Sequence, residues 1–212
     1  MTGPRTLLFL CRHAQPENPE GVMYGHLPGF GLSLAGRQQA LGLGEFLRGY
    51  PIRAAYASPL ERAQETARLA VSRLDPVPPI ETRGDLVEAE FGKYIQGVKR
   101  WQVPFRRPWF LLHAVSPGSL SFDESVPAMA ERVDRVCQEA LRACAGDAAM
   151  LVSHADPIKA FWNRFLGRPD PRFHMLKLDK GAFLELAYEG DRLASITPHA
   201  AAPVVSSEPA SK

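Results

Sequence analysis

Leu7-Leu8-Phe9-Leu10-Cys11-Arg12-His13-Ala14 is the stretch on which the reading of this chain turns. The apolar run at 7–10 has no polar break, the pattern of a strand buried on both faces, as in parallel sheets. Cys11-Arg12-His13-Ala14 then stands at that strand's carboxyl end, where open α/β sheets place their ligand sites. A guanidinium beside an imidazole suits phosphoryl transfer to nitrogen: arginine grips phosphate oxygens bidentately, while a neutral ring nitrogen attacks phosphorus.

The same chemistry returns twice downstream. Ser58-Pro59-Leu60-Glu61-Arg62-Ala63-Gln64-Glu65-Thr66-Ala67 carries an arginine in the first turn of a predicted helix, and Leu151-Val152-Ser153-His154 ends a second apolar run in a histidine. An arginine in a first turn suits the helix dipole poorly, which points Arg62 toward an anion.

Around these motifs the chain alternates strand and amphipathic helix. A strand at about 6–11 opens into a glycine- and proline-rich loop, 12–31, a natural site wall. Ser33 is placed to cap a helix reaching about residue 48, with Leu34, Leu41, Phe46 and Leu47 toward its buried side and Gly49 past its end. A strand at about 54–57 leads to Ser58, Pro59 and Glu61, which read as a capping box for a helix reaching about residue 74. Residues 76–121 lack sustained periodicity, hold Pro76, Pro78, Pro79, Pro104, Pro108 and Pro117, and read as an insertion over the site with short helical pieces. The spacing of Val126, Met129, Val133, Val136, Cys137, Ala140, Leu141 and Cys144 predicts a helix over 123–145. A buried strand at 148–153 follows, then a helix started by Asp156 and Pro157 and ended by Gly167 and Pro169. Two late strands are expected near 177–188 and 192–197, and a disordered tail at 200–212. The expectation is one α/β domain over 1–199, a three-layer α/β/α sandwich with a mainly parallel central sheet and helices on both faces.

Composition bounds the function. At 212 residues and 45% hydrophobic content, one sizeable core is the better reading. The formal net charge of +2 comes without a basic block that would suggest nucleic acid or a membrane surface. Cys11, Cys137 and Cys144 make no complete disulfide framework and show no CxxC spacing; Cys137 and Cys144 share one helical face and read as packing. No run approaches the roughly 20 apolar residues of a membrane span, and the start resembles no secretory signal, so a reducing, cytoplasmic setting is expected.

Taken together, these segments resemble the histidine phosphatase superfamily, the phosphoglycerate-mutase-like enzymes, whose hallmark is an Arg-His pair after the first strand. The resemblance spans roughly residues 6–190 and includes Leu32-Ser33 with Gly36 and Gln39-Ala40, Leu86-Val87-Glu88 with Phe91-Gly92, and Glu124-Ser125 with Arg132-Val133. It implies that His13 is the nucleophile that becomes phosphorylated, which needs a neutral ring with one nitrogen free and the other fixed by a hydrogen bond. Arg12 and Arg62 would hold the equatorial phosphate oxygens, and His154 would hydrogen-bond the phosphoryl group. Glu88 is the implied general acid, with Glu90 its competitor and Asp85 third. Asp156, before Pro157, reads as a helix cap and stays outside the catalytic set.

The chain departs from the family pattern at several points. Ala14 stands where glycine is commoner, and Gln15 replaces a glutamate. Asn18, counted with Tyr24 among the phosphate- and substrate-binding candidates, lies one position early, and Tyr94-Ile95-Gln96-Gly97 stands in place of Trp-Glu-Gly. Tyr24 is placed to line the mouth, whereas His26 reads as an exposed loop histidine. Lys99, Arg100, Arg106 and Arg107, interleaved with Trp101, Phe105 and Trp109, read either as packing aromatics with solvated charges or as recognition of a second anionic or planar group. No HExxH or CxxC spacing is present, and no metal or cofactor is expected.

The resemblance thus implies a metal-independent phosphomonoesterase acting on a small phosphorylated substrate, as a monomer or homodimer. A phosphoglycerate mutase and a non-catalytic phosphate-binding protein are the alternatives.

Overall fold

β1 (Arg5–Arg12) carries the two-residue alternation of a pleated strand. Leu8 and Leu10 enter one apolar layer and Phe9 and Cys11 the other, all fully buried. In the computed structural model, which describes residues 4–89, 95–108 and 124–202, this strand lies inside a six-stranded sheet ordered β3-β2-β4-β1-β5-β6. The others are β2 (Ile52–Ala57), β3 (Ile80–Thr82), β4 (Ala148–Ser153), β5 (Phe183–Glu189) and β6 (Arg192–His199). Pairing is parallel from β3 through β1 and antiparallel from β1 to β6. This is a mixed, mainly parallel α/β sheet.

Helices cover both faces. α1 (Leu34–Leu47) packs on α2 (Glu61–Val71) over the Phe9 and Cys11 layer, where Leu43, Leu47, Ala63, Ala67 and Ala70 meet Met150 and Val152. After the single turn α3 (Val103–Arg106), α4 (Val126–Ala143) packs on α5 (Ala155–Phe165) over the opposite layer. Val133, Val136, Cys137, Ala140 and Leu141 of α4 are buried there, as their spacing predicts. β1 and β4 are neighbours, yet α1 follows β1 on one face and α5 follows β4 on the other. Helices that diverge in this way open a crevice at the strands' carboxyl ends.

Several local expectations are corrected. Ser33 does cap α1, its Oγ accepting from Gly36 N, but the buried side is Gly36, Ala40, Leu43, Gly44 and Leu47. Leu34 is 74% exposed and Phe46 37% exposed. Small residues take the interface because α1 lies against backbone: a Cβ at Gly44 would sit 2.3 Å from Ala70 O. The capping box at Ser58 does not form. α2 begins at Glu61 behind Leu60, with no side-chain capping bond, and ends at Val71 rather than near residue 74. Within 76–121, Ile80–Thr82 is an edge strand of the sheet. Residues 90–94, 109–123 and 203–212, with Glu90, Phe91, Gly92, Trp109 and most of the expected tail, lie outside the described residues.

Gly36 holds α1 against the loop that follows β1, since a Cβ there would lie 2.0 Å from Gln15 O. Backbone cannot yield as a side chain can, so Gly36→Ala is expected to destabilise the fold by about 1–3 kcal/mol. A lower urea midpoint at unchanged denaturant slope would show it.

Candidate active site

Strand register brings the two sequence-predicted histidines together. In the parallel β1–β4 pair Arg12 lies opposite Ser153, so His13 and His154 leave the sheet side by side. His13 N donates to Ser153 O at 2.9 Å, and the two rings stand 5.0 Å apart between centroids. β2 ends alongside them, with Ser58 N bonded to Val152 O. Both histidines are buried.

Hydrogen bonds assign the His13 tautomer. Nδ1 lies 2.8 Å from Ala14 O, a pure acceptor, so Nδ1 carries the proton. Nε2 keeps its lone pair and accepts from Arg62 Nε at 3.3 Å. Burial, then Arg62 and Arg12, hold its pKa well below the usual imidazole value, so the ring stays neutral.

Arg62 is the hub. It is 1% exposed, with its guanidinium 4.6 Å from the centre of the Tyr24 ring. Its Nη2 donates to Gly25 O at 2.9 Å and to His154 Nδ1 at 3.2 Å. That donor fixes the second tautomer: Nδ1 of His154 accepts, and its Nε2–H donates to Ser58 Oγ at 2.8 Å. The hydroxyl expected to cap α2 therefore serves a buried imidazole, whose Nε2–H would otherwise lack a partner. Thr66, one turn along α2, accepts from Ala14 N and donates to Arg62 O, tying the loop after β1 to the helix that carries Arg62.

Arg12 anchors one Nη on Leu178 O at 2.6 Å, while its buried Nε has no partner among the described residues. With Tyr24, Glu88, Arg100, Asp156 and Lys159 it lines a cavity of about 250 Å³. Glu88 Oε1 accepts from Ala89 N, and Oε2 lies 4.0 Å from His154 Nδ1. Burial first, then the Asp156 charge, push the Glu88 carboxyl up to about 7. His154 is held well below its usual value by burial and Arg62, so its ring is neutral and the Glu88–His154 contact is no ion pair.

Arg132 fixes the approach to Glu88. This buried guanidinium makes two bonds to Glu124, at 2.6 and 2.9 Å, and donates to Asp85 O and Val87 O. His26, read from sequence as exposed, is half-buried, its ring 2.8 Å from Glu88 O. Asp156 is corrected as well: His154 is the N-cap residue of α5, no side chain caps it, and Asp156 lines the cavity 3.8 Å from Lys159 Nζ.

Other sequence candidates lie elsewhere. The Asn18 amide is occupied by the loop, bonding Val22 N and O, and Asp85 pairs with Arg135 on the surface. Lys99 pairs with Glu20, and Trp101 and Phe105 are 68% and 81% exposed. Thr66 and Arg132 fell inside the motifs that carry the resemblance but were given no role there, and Ser58 was read as a helix cap and not as a partner of His154. Lys180, a turn residue close enough to Arg12 to feel its charge, had no sequence signal.

The arrangement supplies a neutral nucleophilic nitrogen, two guanidinium groups and a protonated carboxyl around one crevice, a set suited to phosphoryl transfer. Comparison with known proteins agrees. The family model for the histidine phosphatase superfamily (branch 1) matches residues 8–198. The uncharacterized protein Rv0525 of Mycobacterium tuberculosis is 34% identical over 198 residues, which cover 90% of this chain and 94% of that one. The adenosylcobalamin/alpha-ribazole phosphatase of Escherichia coli is 27% identical over 186 residues, covering 83% and 87%. Among solved structures, Bacillus stearothermophilus YhfR superposes with a TM-score of 0.78 at 23% identity, covering 93% of this chain and 96% of its own, and shares the fold.

Proposed function

Because this chain belongs to the histidine phosphatase superfamily, we propose that it hydrolyses a small phosphate monoester through a phosphohistidine at His13. The observation that carries this reading is the His13 ring itself: Nδ1 is locked on Ala14 O, and Nε2 presents its lone pair among Arg62, Arg12 and His154.

Nε2 of His13 attacks phosphorus as the ester P–O bond breaks. Glu88, protonated up to about pH 7, gives its proton to the leaving oxygen. The N–H groups of Arg62 that now bond His13 and His154, with those of Arg12, take the equatorial phosphate oxygens, where charge spreads in the transition state. Water then attacks the phosphohistidine, Glu88 as carboxylate accepts its proton, and cleavage of the P–N bond restores the neutral ring. His154, with its Nε2–H fixed on Ser58, presents Nδ1 beside the transferring group.

In this reading the guanidinium groups meet the developing charge without a metal ion. Hydrolysis of p-nitrophenyl phosphate is expected to survive excess EDTA within about twofold, because a charge clamp built from side chains does not dissociate. Enzyme quenched in alkaline denaturant during turnover of a labelled phosphate ester should keep its label in alkali and lose it on acidification, as a P–N bond does. Absence of both turnover and label would overturn the phosphatase reading. Interconversion of 2- and 3-phosphoglycerate without phosphate release would replace it with a mutase.

A further inference from the structure

Beside the phosphoryl site lie two cations, Arg100 and Lys180, that no carboxylate among the described residues pairs. Arg100 lines the Arg12 cavity and also an adjoining hollow of about 370 Å³ whose walls include Gln15, Asn18, Ser33 and Lys180. Lys180 is half-buried in the turn before β5, and burial, Arg12 and Arg100 together hold its ammonium below the usual lysine value. Among the described residues neither Arg100 nor Lys180 has an ion-pair partner. Glu17 also lines the hollow, but it is exposed and pairs with neither. The next residue to Arg100 behaves differently: Lys99 is neutralised by Glu20 at 3.0 Å.

Like charges gathered with one of them part-buried cost stability unless an anion offsets them. Arg12 and Arg62 account for a single phosphoryl group. Arg100 and Lys180 stand beyond it, where the remainder of a bound ester has room to extend. We propose that the leaving group of the substrate bears a second anionic group, a carboxylate or a phosphate, held between Arg100 and Lys180. This rests on the phosphoryl-binding reading above and narrows its substrate class to phosphate monoesters that carry a second acidic group apart from the phosphoryl group. Such a site favours those esters through binding, so its signature is a change in affinity that follows the second charge.

Calorimetry with non-hydrolysable ligands tests this without turnover. The probes are alkylphosphonates of three and five carbons, their ω-carboxylates and their ω-phosphonates. In the wild type at low salt, an ω-anion is expected to tighten binding at least about tenfold in one of the series, with carboxylate and phosphonate arms telling which acid is preferred. In Lys180→Met and Arg100→Met this ratio, taken within each protein, should fall to about threefold or less. A ratio near one for every wild-type pair, or a ratio that survives both substitutions, overturns the subsite. Turnover of p-nitrophenyl phosphate is measured alongside. A protein that releases no phosphate yet shows the ratio loses the hydrolase reading and keeps the subsite; one that turns over without the ratio does the reverse.

Discussion

Replacing His13 with alanine is expected to lower kcat/KM for p-nitrophenyl phosphate at least about ten-thousand-fold and to abolish the acid-labile label. Among the described residues His13 is the nucleophile that this reading assigns. His154 is buried beside it with Nε2–H on Ser58 and Nδ1 toward Arg62, so a label that persisted in the variant would move the nucleophile to that ring. The cysteine nearest in sequence, Cys11, is fully buried in the layer beneath α1 and α2, and burial drives its thiol far from ionisation. The substitution leaves the β1–β4 ladder intact, because His13 joins it through its backbone N–H. The variant should therefore fold, and far-UV circular dichroism checks that it has. A folded His13→Ala protein that kept its rate would sink the phosphohistidine.

Glu88→Gln is expected to lower kcat by about a hundred- to ten-thousand-fold on an alkyl phosphate, whose alkoxide needs a proton to leave. The loss should be smaller on p-nitrophenyl phosphate, whose phenolate leaves unaided. The pH dependence follows from the two shifts. His13 is held well below its usual value and stays neutral through mildly acidic pH, while Glu88 keeps its proton up to about 7. Wild-type kcat/KM should thus hold on the acid side of neutrality and fall above about pH 7, and the variant should lack that alkaline limb. Equal slopes in both proteins would assign the acid to another group.

Stability carries the same signature with a definite sign. A carboxyl raised from 4.5 to about 7 on folding contributes stability that is fully present below 4.5 and is lost as pH rises to 7. Glu88→Gln removes that dependence, so its thermal midpoint relative to wild type should be higher at pH 8 than at pH 5.

Much of this site is legible before any folding is considered. β1 and β4 are continuous apolar runs, which only a strand covered on both faces accommodates, and α4 repeats its apolar residues at helical spacing. His13 and His154 directly follow such runs, so their position at strand ends is a local property. Local signals failed where a side chain had two possible partners. Ser58 could cap a helix, yet its hydroxyl meets the ring of His154, 96 residues away in sequence. Asp156 could cap α5, yet it lines the cavity with Glu88, where its charge adds to burial in raising that carboxyl. Leu34 and Phe46 looked like the buried side of α1 until Gly36 and Gly44 brought that helix against backbone.

The sequence by itself determined the alternation of strand and helix, the mainly parallel sheet and the identity of the residues at its carboxyl ends, because periodicity and apolar runs act within a few residues of the chain. Only the tertiary structure decided the tautomers of His13 and His154, the raised carboxyl of Glu88 and the placement of Arg100 and Lys180 without an ion-pair partner among the described residues. Each of these depends on which distant groups share one desolvated volume, and electrostatic energy there is set by distance and burial rather than by position along the chain.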